Sequence, residues 1–331
     1  MIFEQAHEVI LDQVFLRLSD LMPNLDVYLK LEGLNPAGSI KLKTASAMVG
    51  DAEEKGMIQP GCHIIESSSG SLGIALAMVC TTKGYGFTCV TDPNTSRLSI
   101  QVIRALGGQV VEINQRDPLG GYLGNRIAYI ERRLVQEPDL VWLNQYGNPA
   151  NPAVHARQTA TAITAEIPDI DALFVGAGTT GTLMGCVQHF RSASPATKII
   201  AVDSEGSVTF GHPAGPRHIP GIGTSSRPPL LRSGVVDDVL LIPEVETVRT
   251  CRLLARRHGL VVGGSTGSVV TAIMRYAPQL PEGARVVAVS PDFGDRYAHT
   301  IYDDDWVADR LGVSAASLSP SDQPELSAVR R

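Results

Sequence analysis

Short apolar runs rich in β-branched residues alternate with helix-period segments along most of this chain. The runs at 26–32, 63–66, 87–91, 109–113, 172–175, 198–202 and 285–290 predict strands. Between them, 40–55, 72–83, 96–106, 122–136 and 152–166 carry apolar positions at helical spacing. Gly-Gly, Pro-Gly and Asp-Pro pairs punctuate the joins. Strands separated by helices predict an α/β protein with parallel sheets and right-handed crossovers. No fixed-period repeat is visible. Two stretches break the alternation. Residues 206–230, rich in Gly, Pro, His and Ser, read as a long functional loop. The chain after Gly312, rich in Ser, Ala and Pro without periodicity, reads as a disordered tail.

With 331 residues, 44% of them hydrophobic, the chain has the length of two domains or one large one, at about 150 residues per domain. A formal net charge of −6, with no basic run against it, argues against nucleic acid as a partner. Cys62, Cys80, Cys89, Cys186 and Cys251 form no C-x-x-C pair, and an odd, scattered set reads as reduced thiols in a cytoplasmic protein. The N-terminus lacks the basic and apolar regions of a signal peptide. No apolar run reaches the about 18 residues that a membrane span needs.

Candidate chemistry lies at the strand-to-helix joins. Asn35-Pro36-Ala37-Gly38-Ser39-Ile40-Lys41 is a turn that runs into an amphipathic stretch and puts Lys41 on its first turn. The positive end of a helix dipole disfavours a protonated amine there. If it is also desolvated, the amine can attack a carbonyl near neutral pH. Glu66-Ser67-Ser68-Ser69-Gly70-Ser71-Leu72-Gly73 opens the next helix, and reads either as a serine-rich cap or as an anion site for a carboxylate or phosphate. Gly176-Ala177-Gly178-Thr179-Thr180-Gly181-Thr182 reads as an ordinary turn or a phosphate cup; it is neither a Walker loop nor a clean dinucleotide fingerprint. Gly263-Gly264-Ser265-Thr266-Gly267-Ser268 is a further loop of this type. Pro291-Asp292-Phe293-Gly294-Asp295-Arg296-Tyr297 suggests a turn with a local Asp–Arg pair. In open α/β sheets such joins share the carboxyl edge where ligands bind. An amine, a phosphate cup and a carboxylate loop together suit pyridoxal 5′-phosphate.

These blocks, with Asn144-Gln145-Tyr146-Gly147-Asn148-Pro149 and Pro220-Gly221-Ile222-Gly223, resemble the fold-type II pyridoxal-phosphate enzymes of the cysteine synthase group over about residues 8–310. The resemblance implies a tryptophan synthase β-like fold: two doubly wound α/β domains with the active site in the cleft between them. Residues 1–38 plus 148–310 would form the large cofactor-binding domain. Residues 39–147 would form a small mobile domain that takes the substrate carboxylate, and 311–331 a disordered tail. The resemblance makes Lys41 the Schiff-base lysine. Gly178, Thr179, Thr180, Gly181 and Thr182 would hold the cofactor phosphate, and Ser265 would face the pyridine nitrogen. Ser68, Ser69, Gly70 and Ser71 would receive the substrate carboxylate with Gln145, and Gly221 would also contact substrate. Arg126 becomes the candidate for the leaving phosphate or the second amino acid, with Tyr146 lining the same pocket.

Several stretches, among them Gly120-Gly121-Tyr122-Leu123 with Arg126 and 202–208, look closest to members that join an activated serine to glutamate, the first step towards 2,3-diaminopropionate for siderophores or peptide antibiotics. That implies β-replacement between O-phospho-L-serine and L-glutamate by a homodimer. The alternatives are a cysteine synthase using O-acetyl- or O-phosphoserine and sulfide, and a cofactor-binding regulator without turnover. The chain departs from the family pattern in three places. Ser71 stands where members carry Asn, Leu42-Lys43 follows the lysine in place of Asp-Arg, and Asp12-Gln13-Val14-Phe15 replaces Gly-x-Thr-Pro.

Overall fold

The computed structural model describes residues 1–117 and 121–318; Gly120 and residues 319–331 of the expected tail lie outside them. All seven predicted strands are present within a residue or two. A six-stranded sheet runs in the order β1-β2-β10-β7-β8-β9. Its members are β1 (Phe15–Arg17), β2 (Leu25–Leu31), β7 (Ala172–Gly176), β8 (Lys198–Ser204), β9 (Asp238–Ile242) and β10 (Ala284–Ser290). A four-stranded sheet runs β5-β4-β3-β6, from β3 (His63–Ser67), β4 (Gly86–Thr91), β5 (Gln109–Glu112) and β6 (Leu140–Trp142). Every pairing is parallel except β1 with β2. The central strands are buried on both faces: Val286 to Val289 of β10 and Leu173 to Val175 of β7 are at most 3% exposed. This is why these strands read as continuous apolar runs rather than as alternation.

The helices cover these faces: α1 (Lys41–Glu54), α2 (Ser71–Lys83), α3 (Arg97–Ala105), α4 (Leu123–Gln136), α5 (Ala150–Val154), α6 (Thr161–Glu166), α7 (Gly181–Ala193), α8 (Glu244–His258), α9 (Gly264–Tyr276) and α10 (Asp304–Leu311). The helix expected over 152–166 is continuous but passes through a π-helical stretch, His155–Ala160, between α5 and α6. One apolar cluster lies where α8 and α9 pack on β2, β7 and β10. A second lies between α1, α2 and the four-stranded sheet, and a third between α7 and the other face of β7 and β8. The four non-paired buried cysteines are core residues, and Cys62 is half-buried.

The long loop over 206–230 contains neither helix nor strand. The expectation of disorder from residue 311 onward is corrected over its described part. Leu311 ends α10, Ala315–Leu318 forms a 3-10 turn, and Leu318 is 2% exposed against the first core cluster. Leu318, with Leu311 and Val313 packed against the same cluster and the Ser317 carbonyl accepting from Arg249 at 3.1 Å, holds a segment that has no periodicity to announce it. No helix among the described residues is long and apolar enough to cross a membrane.

Candidate active site

The segments that leave β3, β4, β7 and β10 at their carboxyl ends converge on one cavity of about 840 Å³. Every candidate residue named from the sequence, from Lys41 to Ser265, lines it, and so do Gly121, Tyr122 and Leu123.

Lys41 is the first residue of α1. The Ile40 amide donates to the Pro291 carbonyl at 2.8 Å, which ties this helix start to the segment after β10. Burial lowers the Lys41 amine from its ordinary 10.5 to about 8, against the opposing pull of Glu66 and Asp292. Those two carboxyls are themselves displaced by burial: Glu66 is pushed up to about 7 and Asp292 to about 6. Glu66 is fully buried and accepts from Trp142 Nε1 (3.0 Å) and from the Ser67 (2.8 Å) and Gln145 (3.2 Å) amides, so it pins the turn that carries Gln145 to β3. Asp292 accepts from the Tyr297 hydroxyl at 2.6 Å, while its Oδ1 is buried without a hydrogen-bond partner.

The serine loop caps α2 and lines the cavity. Ser68 Oγ accepts from the Gly70 (3.1 Å) and Gly73 (2.9 Å) amides and is thereby committed to holding the start of α2. Gly70 sits at φ 137°, a backbone state open to glycine and few others. It turns the chain so that the first amides of α2, at Ser71 and Leu72, have no acceptor within the helix. Gln145 Nε2 donates to the Ser67 carbonyl at 2.7 Å, which fixes its amide against this loop.

The threonine loop makes the cup. Thr180 is held at φ 63°, a strained conformation for a β-branched residue, at the N-terminus of α7. Its Oγ1 is buried with no partner. The free first-turn amides and the dipole of α7 favour an anion at that point. The cup also needs small residues. A Cβ on Gly178 would sit 3.1 Å from the Gly221 carbonyl oxygen, and one on Gly181 would sit 2.1 Å from Asn151 Oδ1. Asn151 is fully buried and bonds Gln145 O (2.9 Å) and Thr179 Oγ1 (3.4 Å), so it cannot swing aside freely. Gly181→Ala is expected to cost about 1–3 kcal/mol by overpacking. Thermal denaturation measures it, and an unchanged midpoint would show that the neighbour yields. Ser265, the second residue of α9, is 6% exposed and faces the cavity near Gly221.

Arg126, on α4, is 6% exposed, and its Nη1 is 3.4 Å from Asp92 Oδ2. Both Nε and Nη1 are buried and make no hydrogen bond, so the Asp92 contact is an ion pair alone. Tyr146 and Arg126 both line the cavity, where burial pushes the Tyr146 hydroxyl up and the positive field of Arg126 opposes this.

The local Asp–Arg pair expected within 291–297 is not a direct ion pair: Arg296 acts on Asp292 only through its field. Arg296 reaches across the cavity mouth instead: Nη2 donates to the Ala37 carbonyl and Nη1 to Ser71 Oγ at 3.3 Å. It therefore braces both the turn before Lys41 and the carboxylate loop. Arg296 and Asp292, which line the cavity, and Glu66, Asn151 and His155, which hold the lining residues Gln145, Thr179 and Thr182 from behind, have no role assigned from the sequence. Glu66, Asp292 and Arg296 fall inside blocks singled out above without a role, whereas Asn151 and His155 show only as polar residues inside a helical run.

A family model described as "Pyridoxal-phosphate dependent enzyme" matches residues 14–292. The N-(2-amino-2-carboxyethyl)-L-glutamate synthase of Ralstonia nicotianae is 42% identical over 301 residues, 89% of each chain. The enzyme of the same name from Cupriavidus metallidurans is 40% identical over 287 residues, 86% of this chain and 84% of the relative. Among solved structures, an O-ureido-L-serine synthase aligns with a TM-score of 0.85 at 34% identity, over 93% of this chain and all of that one. The O-acetylserine-dependent cystathionine β-synthase of Helicobacter pylori aligns at 0.83 and 31% identity, over 90% and 97%.

Proposed function

The chain belongs to the pyridoxal-phosphate dependent enzymes, and on that premise we propose that it joins O-phospho-L-serine to L-glutamate by β-replacement, giving N-(2-amino-2-carboxyethyl)-L-glutamate for 2,3-diaminopropionate-containing siderophores or peptide natural products. The residues present fit the cofactor. The partnerless Thr180 hydroxyl and the free α7 amides suit its phosphate, the glycines at 178 and 181 leave room for it, and the Lys41 amine faces the same cavity. When bound, pyridoxal phosphate supplies an electron sink for loss of an amino acid's β-substituent.

The chain's own groups do the rest. The Lys41 amine, held near 8, exchanges the proton at the substrate Cα. Ser69, Gly70, Ser71 and Gln145 hold the α-carboxylate, with Ser68 fixing the loop. Ser265 offers the ring nitrogen a neutral hydroxyl, which keeps the sink weak and favours replacement over racemisation or transamination. Closure of residues 39–147 over the carboxylate excludes water. Asn, usual in the family at position 71, is replaced by a serine whose Oγ accepts from Arg296, so that arginine becomes part of the receptor.

The observation that carries the choice of substrates is Arg126: a buried guanidinium with unspent donors, facing the cavity beside Tyr146. A leaving phosphate or an incoming dicarboxylate needs such a cation, and sulfide does not. Mass spectrometry of products from O-phosphoserine incubated with glutamate, sulfide and ammonia in competition tests this. The glutamate adduct should dominate; cysteine as the main product would transfer the protein to the sulfide-using reading. Unpaired cysteines support a reducing, cytoplasmic setting, and the family resemblance supports a homodimer.

A further inference from the structure

We propose that Lys43 sets the direction of a buried hydrogen-bond chain that ends in the cup, and so keeps the Thr182 hydroxyl a donor to bound phosphate. The proposal rests on the reading that the cup holds the cofactor phosphate.

Lys43 lies two residues beyond Lys41 on α1 and is 2% exposed. Its ammonium is held by Glu32 at 2.7–2.8 Å and by Asp12, and donates to Thr159 Oγ1 at 3.2 Å. Asp12 and Lys43 thus form an ion pair, although each stands in a stretch where this chain departs from the family pattern. An ammonium has only hydrogens to give. Thr159 must therefore accept from it, and its own hydrogen finds its acceptor among the described residues in His155 Nδ1, 3.1 Å away. A neutral imidazole that accepts at Nδ1 carries its hydrogen on Nε2. Nε2 lies 3.1 Å from Thr44 Oγ1 and 3.3 Å from Thr182 Oγ1, and neither hydroxyl can donate to it. The Thr44 hydrogen goes to Asn151 Oδ1 at 3.3 Å. The Thr182 hydrogen is left for the cup, whose wall Thr182 forms.

Asn151 acts in the same sense on the other hydroxyl. Its Nδ2 donates to Thr179 Oγ1, which leaves the Thr179 hydrogen for the cup as well. The chain works only with an uncharged imidazole, because an imidazolium would also donate from Nδ1. Burial, reinforced by Lys43 and Lys41, holds His155 well below its usual value. Without Lys43, the Nδ1–H tautomer could donate to Thr159. Nε2 would then accept from Thr182 and draw its hydrogen away from the cup.

Nitrogen-15 NMR of histidine-labelled holoenzyme reads the tautomer directly. His155 should carry its hydrogen on Nε2 in the wild type, and Lys43→Met should move it towards Nδ1. The same variant should weaken binding of pyridoxal phosphate by about 10- to 100-fold, the loss of one charge-assisted hydrogen bond. It should leave the affinity for pyridoxal, which lacks the phosphate, unchanged, and Lys43→Arg should restore both readouts. Should Lys43→Met fail to fold for want of a counter-ion to Glu32 and Asp12, Thr159→Val keeps the ion cluster and should give the same two shifts. An Nδ1–H tautomer in the wild type overturns the proposal. So does an equal loss for pyridoxal and its phosphate, which marks a merely structural role. Wild-type protein that binds pyridoxal as tightly as pyridoxal phosphate would sink the phosphate reading itself, whatever tautomer His155 holds.

Discussion

Lys41→Ala is expected to remove the visible absorption of lysine-bound cofactor and to lower turnover by on the order of 10²–10⁴-fold, the range that a positioned proton-transfer group contributes. Residual turnover within a factor of a few of wild type would refute the assignment. The same residue should leave a mark on stability that needs no substrate. Its folded value, about 8, lies below the ordinary 10.5. Below pH 8 the amine is protonated in both states, and burying its charge opposes folding in full. Between 8 and 10.5 only the unfolded chain keeps the proton, so apoprotein stability rises with pH across that window. Above 10.5 the difference no longer grows. Lys41→Met should therefore be more stable than wild-type apoprotein below pH 8 and should lose the rise between 8 and 10.5. Urea midpoints across pH 7 to 10.5 measure this, and parallel curves for the two proteins would show that the amine is solvated. The stability sacrificed to bury a reactive amine is the trade expected of a catalytic group.

The strands and helices were legible because core strands buried on both faces and helices with one apolar face leave period signals along the sequence. Three-residue β1 and β6 are too short to leave one, and edge strand β9 with α8 follows a loop that masks their onset. The site was legible for a related reason. The cup, the carboxylate loop and the turn before Lys41 are each contiguous in sequence and sit at strand ends, so composition betrays them one at a time. What joins them is not contiguous. Arg296 meets Ser71 across 225 residues, and Lys43 meets Thr159 across 116. An arginine beside an aspartate reads as a local pair because neighbours in sequence are the only partners that a sequence displays. His155 was hidden for another reason. It begins a π-helical stretch inside what reads as one helix, and a histidine there looks like any core histidine. The shift of register in such a stretch re-aims side chains, and these turns concentrate at functional sites.

Arg126 offers the sharpest discrimination between substrates, provided that the variant respects Asp92. Removing the guanidinium outright strands a carboxylate that is 4% exposed, and an uncompensated buried charge costs about 3–5 kcal/mol. Arg126→Ala would then report folding rather than recognition. Arg126→Lys keeps the charge beside Asp92 but withdraws the planar fork that meets a phosphate or carboxylate through two bonds. It is expected to lower kcat/KM for O-phosphoserine with glutamate by about 10- to 100-fold, one hydrogen bond to a charged group. O-acetylserine with sulfide, which brings neither a phosphate nor a dicarboxylate, should react at nearly the wild-type rate. Crossing the two pairs then locates the contact. If O-acetylserine with glutamate is impaired, Arg126 reads the nucleophile; if O-phosphoserine with sulfide is impaired, it reads the leaving group. Equal losses for all four combinations would reduce Arg126 to a structural partner of Asp92, and the cationic corner would then say nothing about substrates.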